Sequence, residues 1–308
     1  MTTHPASPAP GLLEQRLPDV AALRRALDAT DYLADEPLAT ALFLAARMGQ
    51  PILLEGEPGV GKTEAAKALA TALDTPLIRL QCYEGLTSAE ALYEWNYPRQ
   101  LLAIRLAEAR GETLRDADLF SDEYLLARPL LAALEHPGPQ PAVLLIDEVD
   151  RGDDEFEAFL FELLAEAAVT IPELGTRRAA YPPVTVLTSN RTRDLHDALK
   201  RRCLYHWIDY PDDERVAAII RRRVPGVADV LAGQVARGVA RLRDLGLAKP
   251  PGVAEAISWA GSLQLLGARE LDEAAAGQTA GAVIKYSEDL QAVRAAGFTA
   301  AGDDSGAS

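Results

Sequence analysis

Gly56-Glu57-Pro58-Gly59-Val60-Gly61-Lys62-Thr63 fits the pattern G-x-x-x-x-G-K-[ST], and its flanks decide how it is read. Pro51-Ile52-Leu53-Leu54-Glu55 before it is a short apolar run bounded by turn residues, a buried strand. Glu64-Ala65-Ala66-Lys67-Ala68-Leu69-Ala70 after it has the composition of a helix. Strand, glycine loop and helix together make a phosphate-binding loop. The glycines let the backbone curl so that successive N–H groups point inward, and the helix adds its positive N-terminal end. Gly56, Pro58, Gly59, Val60, Gly61 and Glu64 belong to this cradle. Lys62 is placed to reach β- and γ-phosphates, and Thr63 to hold Mg²⁺.

Working outward, Asp35-Glu36-Pro37 opens a helix through Arg47 with acids at its start, and Gly49 ends it. Four more strand-like runs follow, at 76–81, 142–147, 184–188 and 204–208. Their apolar runs are nearly continuous and most lie between helical segments. This is the signature of a parallel sheet covered on both faces, hence an α/β fold. After Asp209-Tyr210-Pro211 no strand pattern remains. Helical periodicity runs through 213–223, 227–245, 253–266 and 271–290. The chain therefore divides into a nucleotide-binding domain at 11–210 and an all-helical domain at 211–296. Residues 1–10 and the end of the chain, 297–308, read as disordered tails, the polar and small residues 301–308 most clearly.

Val143-Leu144-Leu145-Ile146-Asp147-Glu148 describes a buried strand that presents carboxylates at the sheet's C-terminal edge, where open α/β sheets bind ligands. Asp147 suits a role in holding Mg²⁺ through water, and Glu148 that of a general base on the attacking water. The plainer reading, a strand followed by an acidic turn, loses force beside a phosphate loop. Thr188-Ser189-Asn190 ends the next strand. The Asn190 amide is placed either to orient that water or simply to cap a turn. Adjacent arginines such as Arg201 and Arg202 are ordinarily solvated surface. Before the last strand of an ATPase, one of them can instead reach a neighbouring subunit's γ-phosphate and stabilise the charge that develops there.

These elements in this order resemble the AAA+ ATPases over residues 15–295, and within them the MoxR branch. Gln81-Cys82-Tyr83-Glu84-Gly85, Ala91-Leu92-Tyr93-Glu94-Trp95-Asn96-Tyr97 and Leu199-Lys200-Arg201-Arg202-Cys203-Leu204-Tyr205 further resemble the CoxD-type ATPases associated with maturation of molybdenum-dependent carbon monoxide dehydrogenase. The resemblance implies an ATP- and Mg²⁺-dependent ATPase with a five-stranded sheet in the order 5-1-4-3-2 and a helical lid. It implies a ring, usually hexameric, with ATP between subunits. It also implies a chaperone-like remodeller that works with a von Willebrand factor A domain protein on a metalloenzyme target. One departure stands out: many such lids open a helix with an arginine that touches the γ-phosphate. Here the matching stretch is Pro250-Pro251-Gly252-Val253-Ala254-Glu255, with only Lys249 nearby.

Val169 to Arg178 reads as a β-hairpin with a Pro/Gly turn, where MoxR proteins carry an inserted hairpin. The aromatic run Tyr93 to Arg99 suits either a binding loop or packing against a sheet edge. Cys82 and Cys203 are too few for a disulfide framework and read as buried structural thiols of a reducing cytosol. The four histidines form no ligand-spaced cluster. No apolar run is long enough to span a bilayer. A net charge of −15 counts against a general grip on nucleic acid. The expectation is thus a cytoplasmic ATPase acting on protein. A nucleic-acid motor or clamp loader, a low-turnover ATP-binding switch, and an assembly factor for some other large complex stand as alternatives.

Overall fold

The computed structural model describes Leu13 and residues 16–298. The two expected terminal tails fall outside them, except that order reaches Phe298. That ring is 2% exposed in the helical core, and its N–H donates to the Glu273 carboxylate at 2.9 Å. Phe298 therefore packs with the helical core.

Helices α1 (Val20–Asp28) and α2 (Glu36–Met48) come first. Asp19 and Asp35 cap them by accepting N–H bonds, and Gly49 ends α2 in the left-handed conformation. Strand β1 (Ile52–Gly56) leads through the phosphate loop into α3 (Lys62–Leu73) and β2 (Leu77–Gln81). Between β2 and the next strand of the sheet lies a stretch with no clear sequence pattern. It holds α4 (Ser88–Leu92), β3 (Tyr93–Trp95), α5 (Tyr97–Arg110), α6 (Asp116–Leu119), β4 (Leu125–Ala127) and α7 (Pro129–Leu134). Strands β3 and β4 pair antiparallel as a small ribbon. Trp95 is buried there, edge-on to Phe120 and Tyr93, whereas Tyr97 is exposed. Packing therefore accounts for Trp95 but not for Tyr97.

The sheet resumes with β5 (Val143–Asp147), buried throughout. Helix α8 (Asp154–Glu166) follows, then the hairpin of β6 (Ala168–Ile171) and β7 (Gly175–Arg178). Strand β8 (Val184–Ser189), the short α9 (Asp197–Lys200) and β9 (Leu204–Ile208) complete it. The strand order is β2-β5-β8-β1-β9, and β2–β5, β5–β8 and β8–β1 pair parallel. Numbered along the sheet strands alone, this is the expected 5-1-4-3-2. A central strand buried on both faces is mostly apolar, which is why β1, β5 and β8 read as nearly continuous hydrophobic runs.

After Ile208 the described chain is helical: α10 (Asp213–Arg223), α11 (Asp229–Asp244), α12 (Val253–Leu265), α13 (Glu273–Val283) and α14 (Ser287–Ala296). The single helix expected over 271–290 is two. Helix α13 ends where Lys285 Nζ turns back to donate to the carbonyls of Gly281 and Ala282, and Ile284 leaves the helical conformation. Trp259 is the largest fully buried side chain of this core, and its indole N–H donates to Thr279 Oγ1 at 2.8 Å.

By contact the chain forms two units. One comprises Ala34–Glu55, Thr63–Trp207 and the residues up to Thr30. The other comprises Asp31–Leu33, Gly56–Lys62 and the residues from Ile208 onward, so the phosphate loop groups with the helices.

Candidate functional site

Lys62 lies 6% exposed inside the loop, where its Nζ donates to the carbonyls of Gly56 at 2.7 Å and Glu57 at 2.8 Å. The next two carbonyls are also engaged. Tyr210 Oη donates to Pro58 O at 3.2 Å, and Val253 N–H donates to Gly59 O at 2.9 Å. Tyr32 Oη reaches Gly61 O at 3.4 Å. A peptide's C=O and N–H point in opposite directions. Fixing the Pro58 and Gly59 carbonyls therefore also fixes the N–H groups of Gly59 and Val60 on the same peptides, which an anion-binding loop must orient. Gly59 sits at φ +80, which a side chain would strain.

The acidic strand end belongs to the sheet unit. Asp147 is 2% exposed and both its oxygens are occupied. Oδ1 accepts from Thr63 Oγ1 at 2.9 Å and Thr188 Oγ1 at 2.6 Å; Oδ2 accepts from Arg79 Nε at 3.0 Å and Nη2 at 2.6 Å. A threonine hydroxyl against a carboxylate is the donor pair that a phosphate-bound Mg²⁺ takes in loops of this kind. The residues present therefore fit that metal.

Glu148 follows with φ 55 and ψ 50, left-handed and costly for a residue with a side chain. Thr188 pins it: one hydroxyl donates to Asp147 and accepts the Glu148 N–H at 2.9 Å. The Glu148 carboxylate pairs with Arg151 Nε at 2.9 Å. Next to it, buried Asp150 accepts through Oδ2 from the backbone N–H groups of Asn190 (3.2 Å) and Thr192 (2.9 Å) and from Thr192 Oγ1 (2.7 Å). Its Oδ1 is buried without a hydrogen-bond partner. Asp150 thereby joins the Glu148 turn to the Asn190 turn, although the Asn190 side-chain amide makes none of these bonds. A second knot ties the ends of β1, β8 and β9. Buried Glu55 accepts from Ser189 Oγ at 3.2 Å and Tyr205 Oη at 3.0 Å.

The structure thus brings Thr63, Asp147, Glu148 and the Asn190 backbone together in one network, and Lys62 into the loop that precedes Thr63. Arg201 and Arg202 stand apart. Arg201 is exposed at the end of α9, and the Arg202 guanidinium lies 4.6 Å from the centroid of the Phe161 ring. Sequence reasoning missed Arg79, Asp150, Arg151 and Thr188. The spacing of Asp150 and Arg151 after Glu148 was visible, but the distant partners of Asp150, Thr188 and Arg79 were not. Cys82 and Cys203 are buried free thiols. Burial pushes both up to about 12, with Asp147, Asp150 and Glu148 adding at Cys82, so neither is a reactive thiolate at neutral pH.

Residues 51–203 match the family model of the AAA domain (dynein-related subfamily). Over those residues the chain has the fold of an AAA domain. Among curated proteins the chain is 24% identical over 208 residues to the gas vesicle ATPase GvpN1 of Halobacterium salinarum, covering 64% of this chain and 57% of that protein. It is 25% identical over 182 residues to an uncharacterized protein of Staphylococcus aureus, covering 57% of this chain and 62% of that one. The chain thus spans about three fifths of the length of these relatives. A solved variant of Thermotoga maritima RuvB aligns with a TM-score of 0.47 and 19% identity, covering 79% of this chain and 67% of that one. The matched residues include the phosphate loop and the acidic strand end. No helix among the described residues is long and apolar enough to cross a membrane.

Proposed function

We propose that this chain hydrolyses ATP with Mg²⁺ and uses the cycle to remodel a protein target. The observation that carries the reading is the 2.9 Å bond from Thr63 to Asp147, which joins the end of the phosphate loop to the acidic strand end. In this reading Lys62 and the loop amides bind the β- and γ-phosphates, and Thr63 and Asp147 hold the metal. Bound Mg²⁺ would neutralise phosphate charge. Glu148 takes the proton of the attacking water. Asn190, anchored by Asp150, orients that water, and Arg201 or Arg202 serves the site of a neighbouring copy in a ring, usually hexameric. The test is a pair of variants. Lys62→Ala loses ATP binding, while Glu148→Gln keeps it and loses turnover because it removes the base and spares the metal ligands. Full turnover in Glu148→Gln overturns the assignment of the base.

For the target, the Gln81–Gly85 and Ala91–Tyr97 strings support a molybdenum-containing carbon monoxide dehydrogenase-type metalloenzyme, with a von Willebrand factor A domain protein as partner. The β6–β7 hairpin is the element offered to them. The name of one relative, a gas vesicle ATPase, supports the wider class of ATPases that serve some other assembly. A net charge of −15 favours protein over nucleic acid as the target. A second reading, a low-turnover switch that recruits a partner, is favoured by one contact: Arg151 holds the Glu148 carboxylate.

A further inference from the structure

The helical segment lacks the arginine expected at the start of α12, and what occupies that position is backbone. Gly252 and Gly59 are in direct contact. A Cβ on Gly252 would lie 2.7 Å from Gly59 Cα, 2.9 Å from its carbonyl oxygen and 3.0 Å from its carbonyl carbon. A Cβ on Gly59 would lie 2.9 Å from Gly252 Cα. These are backbone atoms, so neither side can yield by turning a rotamer. Val253, the first residue of α12, has an N–H that the helix itself cannot satisfy. It donates to Gly59 O at 2.9 Å. Gly252 N–H in turn donates to Glu255 Oε2 at 3.0 Å, which fixes the start of the helix.

The same patch carries a second tie. Arg243 Nε donates to Pro251 O at 2.8 Å, and its guanidinium lies 4.0 Å from the centroid of Tyr210, whose hydroxyl donates to Pro58 O. Two successive loop carbonyls, Pro58 and Gly59, are therefore each held by a hydrogen bond from a residue after β9.

We propose that Val253 is a positioning residue for nucleotide binding: its N–H holds the Gly59 carbonyl outward and so aims the Val60 N–H, on the same peptide, toward the phosphates. The chain's departure from an arginine lid is thereby a change of device. A backbone strut shapes the loop where a guanidinium would touch the γ-phosphate. This rests on the nucleotide-site reading above.

Proline is well tolerated at a helix's first position and prefers an extended residue before it. Gly252, at φ −91 and ψ −169, already is extended. Val253→Pro therefore keeps the helix start and removes the one N–H, its Cδ pressing on Gly59 O where the proton lay, and Val253→Ala keeps the N–H while shortening the side chain. ADP affinity is measured by calorimetry, and the melting temperature without nucleotide is measured alongside. Val253→Pro is expected to bind ADP at least about fivefold to tenfold more weakly than Val253→Ala, the scale of one hydrogen bond, and to melt somewhat lower, because the Gly59 carbonyl loses its donor in the nucleotide-free protein as well. Equal ADP affinities overturn the strut. If Val253→Pro does not fold, Gly252→Ala presses on the same contact. It is expected to weaken ADP binding, and unchanged affinity overturns the proposal. Wild type and Lys62→Ala separate the two readings. A wild type that binds no ADP defeats the nucleotide site itself. A wild type that binds while Lys62→Ala does not, with Val253→Pro and Val253→Ala alike, defeats only the strut.

Discussion

Arg79 lies across Asp147, with Nε and Nη2 both donating to the same carboxylate oxygen at 3.0 and 2.6 Å. The arginine is about half exposed, the aspartate almost wholly buried. A guanidinium at this place neutralises the charge that a divalent cation would otherwise meet, so the two compete for one carboxylate.

Arg79→Gln should therefore lower the Mg²⁺ concentration needed for half-maximal ATP binding. Charge-assisted hydrogen bonds in a partly exposed pair are worth about 1 kcal/mol, which corresponds to about fivefold. A Mg²⁺ titration of nucleotide binding reads the shift. An unchanged or raised midpoint would show that Arg79 only supports Asp147.

Arg151 draws Glu148 into an ion pair, which competes with a role as base. Arg151→Ala should raise kcat by up to about fivefold, the upper end for a partly exposed pair, and leave ATP affinity as it is. Steady-state phosphate release at saturating ATP measures it. A fall in kcat would instead make Arg151 a contributor to turnover.

Arg201 and Arg202 have no role within their own chain's network. If one serves the neighbouring copy, its loss abolishes turnover and leaves nucleotide bound. Mixed rings of that variant with Glu148→Gln then regain activity, because some interfaces pair an intact arginine with an intact base. Demonstrably mixed rings that stay inactive would assign both arginines to packing or assembly.

Thr279→Val keeps the shape of the helical core and removes the acceptor of the Trp259 indole N–H. An unsatisfied buried donor costs about 1–3 kcal/mol. Urea denaturation followed by circular dichroism should show that loss. A change well below about 1 kcal/mol would mean that the indole finds another partner.

What the sequence disclosed follows a physical divide. The loop residues 56–63 and the run ending in Asp147-Glu148 are local: glycine spacing, an apolar strand and its terminal acids all lie within a few residues. A parallel sheet followed from the nearly continuous apolar runs; its strand order came from the resemblance alone. Arg79, Thr188 and Asp150 act through partners far along the chain, and no local pattern marks such a pairing. Arg79 is the one charged residue of β2, an edge strand. The break between α13 and α14 was hidden because Val283-Ile284 continues the apolar periodicity while leaving the helix. The absence of an arginine near Gly252 was legible; the backbone contact in its place was not.

The burial of Trp259 gives the molecule an optical handle. The sequence has three tryptophans, and each has its own surroundings. Trp259 is sealed in the helical core, Trp95 stacks edge-on in the β3–β4 ribbon, and Trp207 sits beneath the Arg191 guanidinium at 5.9 Å. Single-tryptophan versions of the chain would thus emit from three separate regions without any attached dye. Quenching by iodide would rank them by access, with Trp259 the most protected. A change in one emission band on adding nucleotide would say which region feels it first.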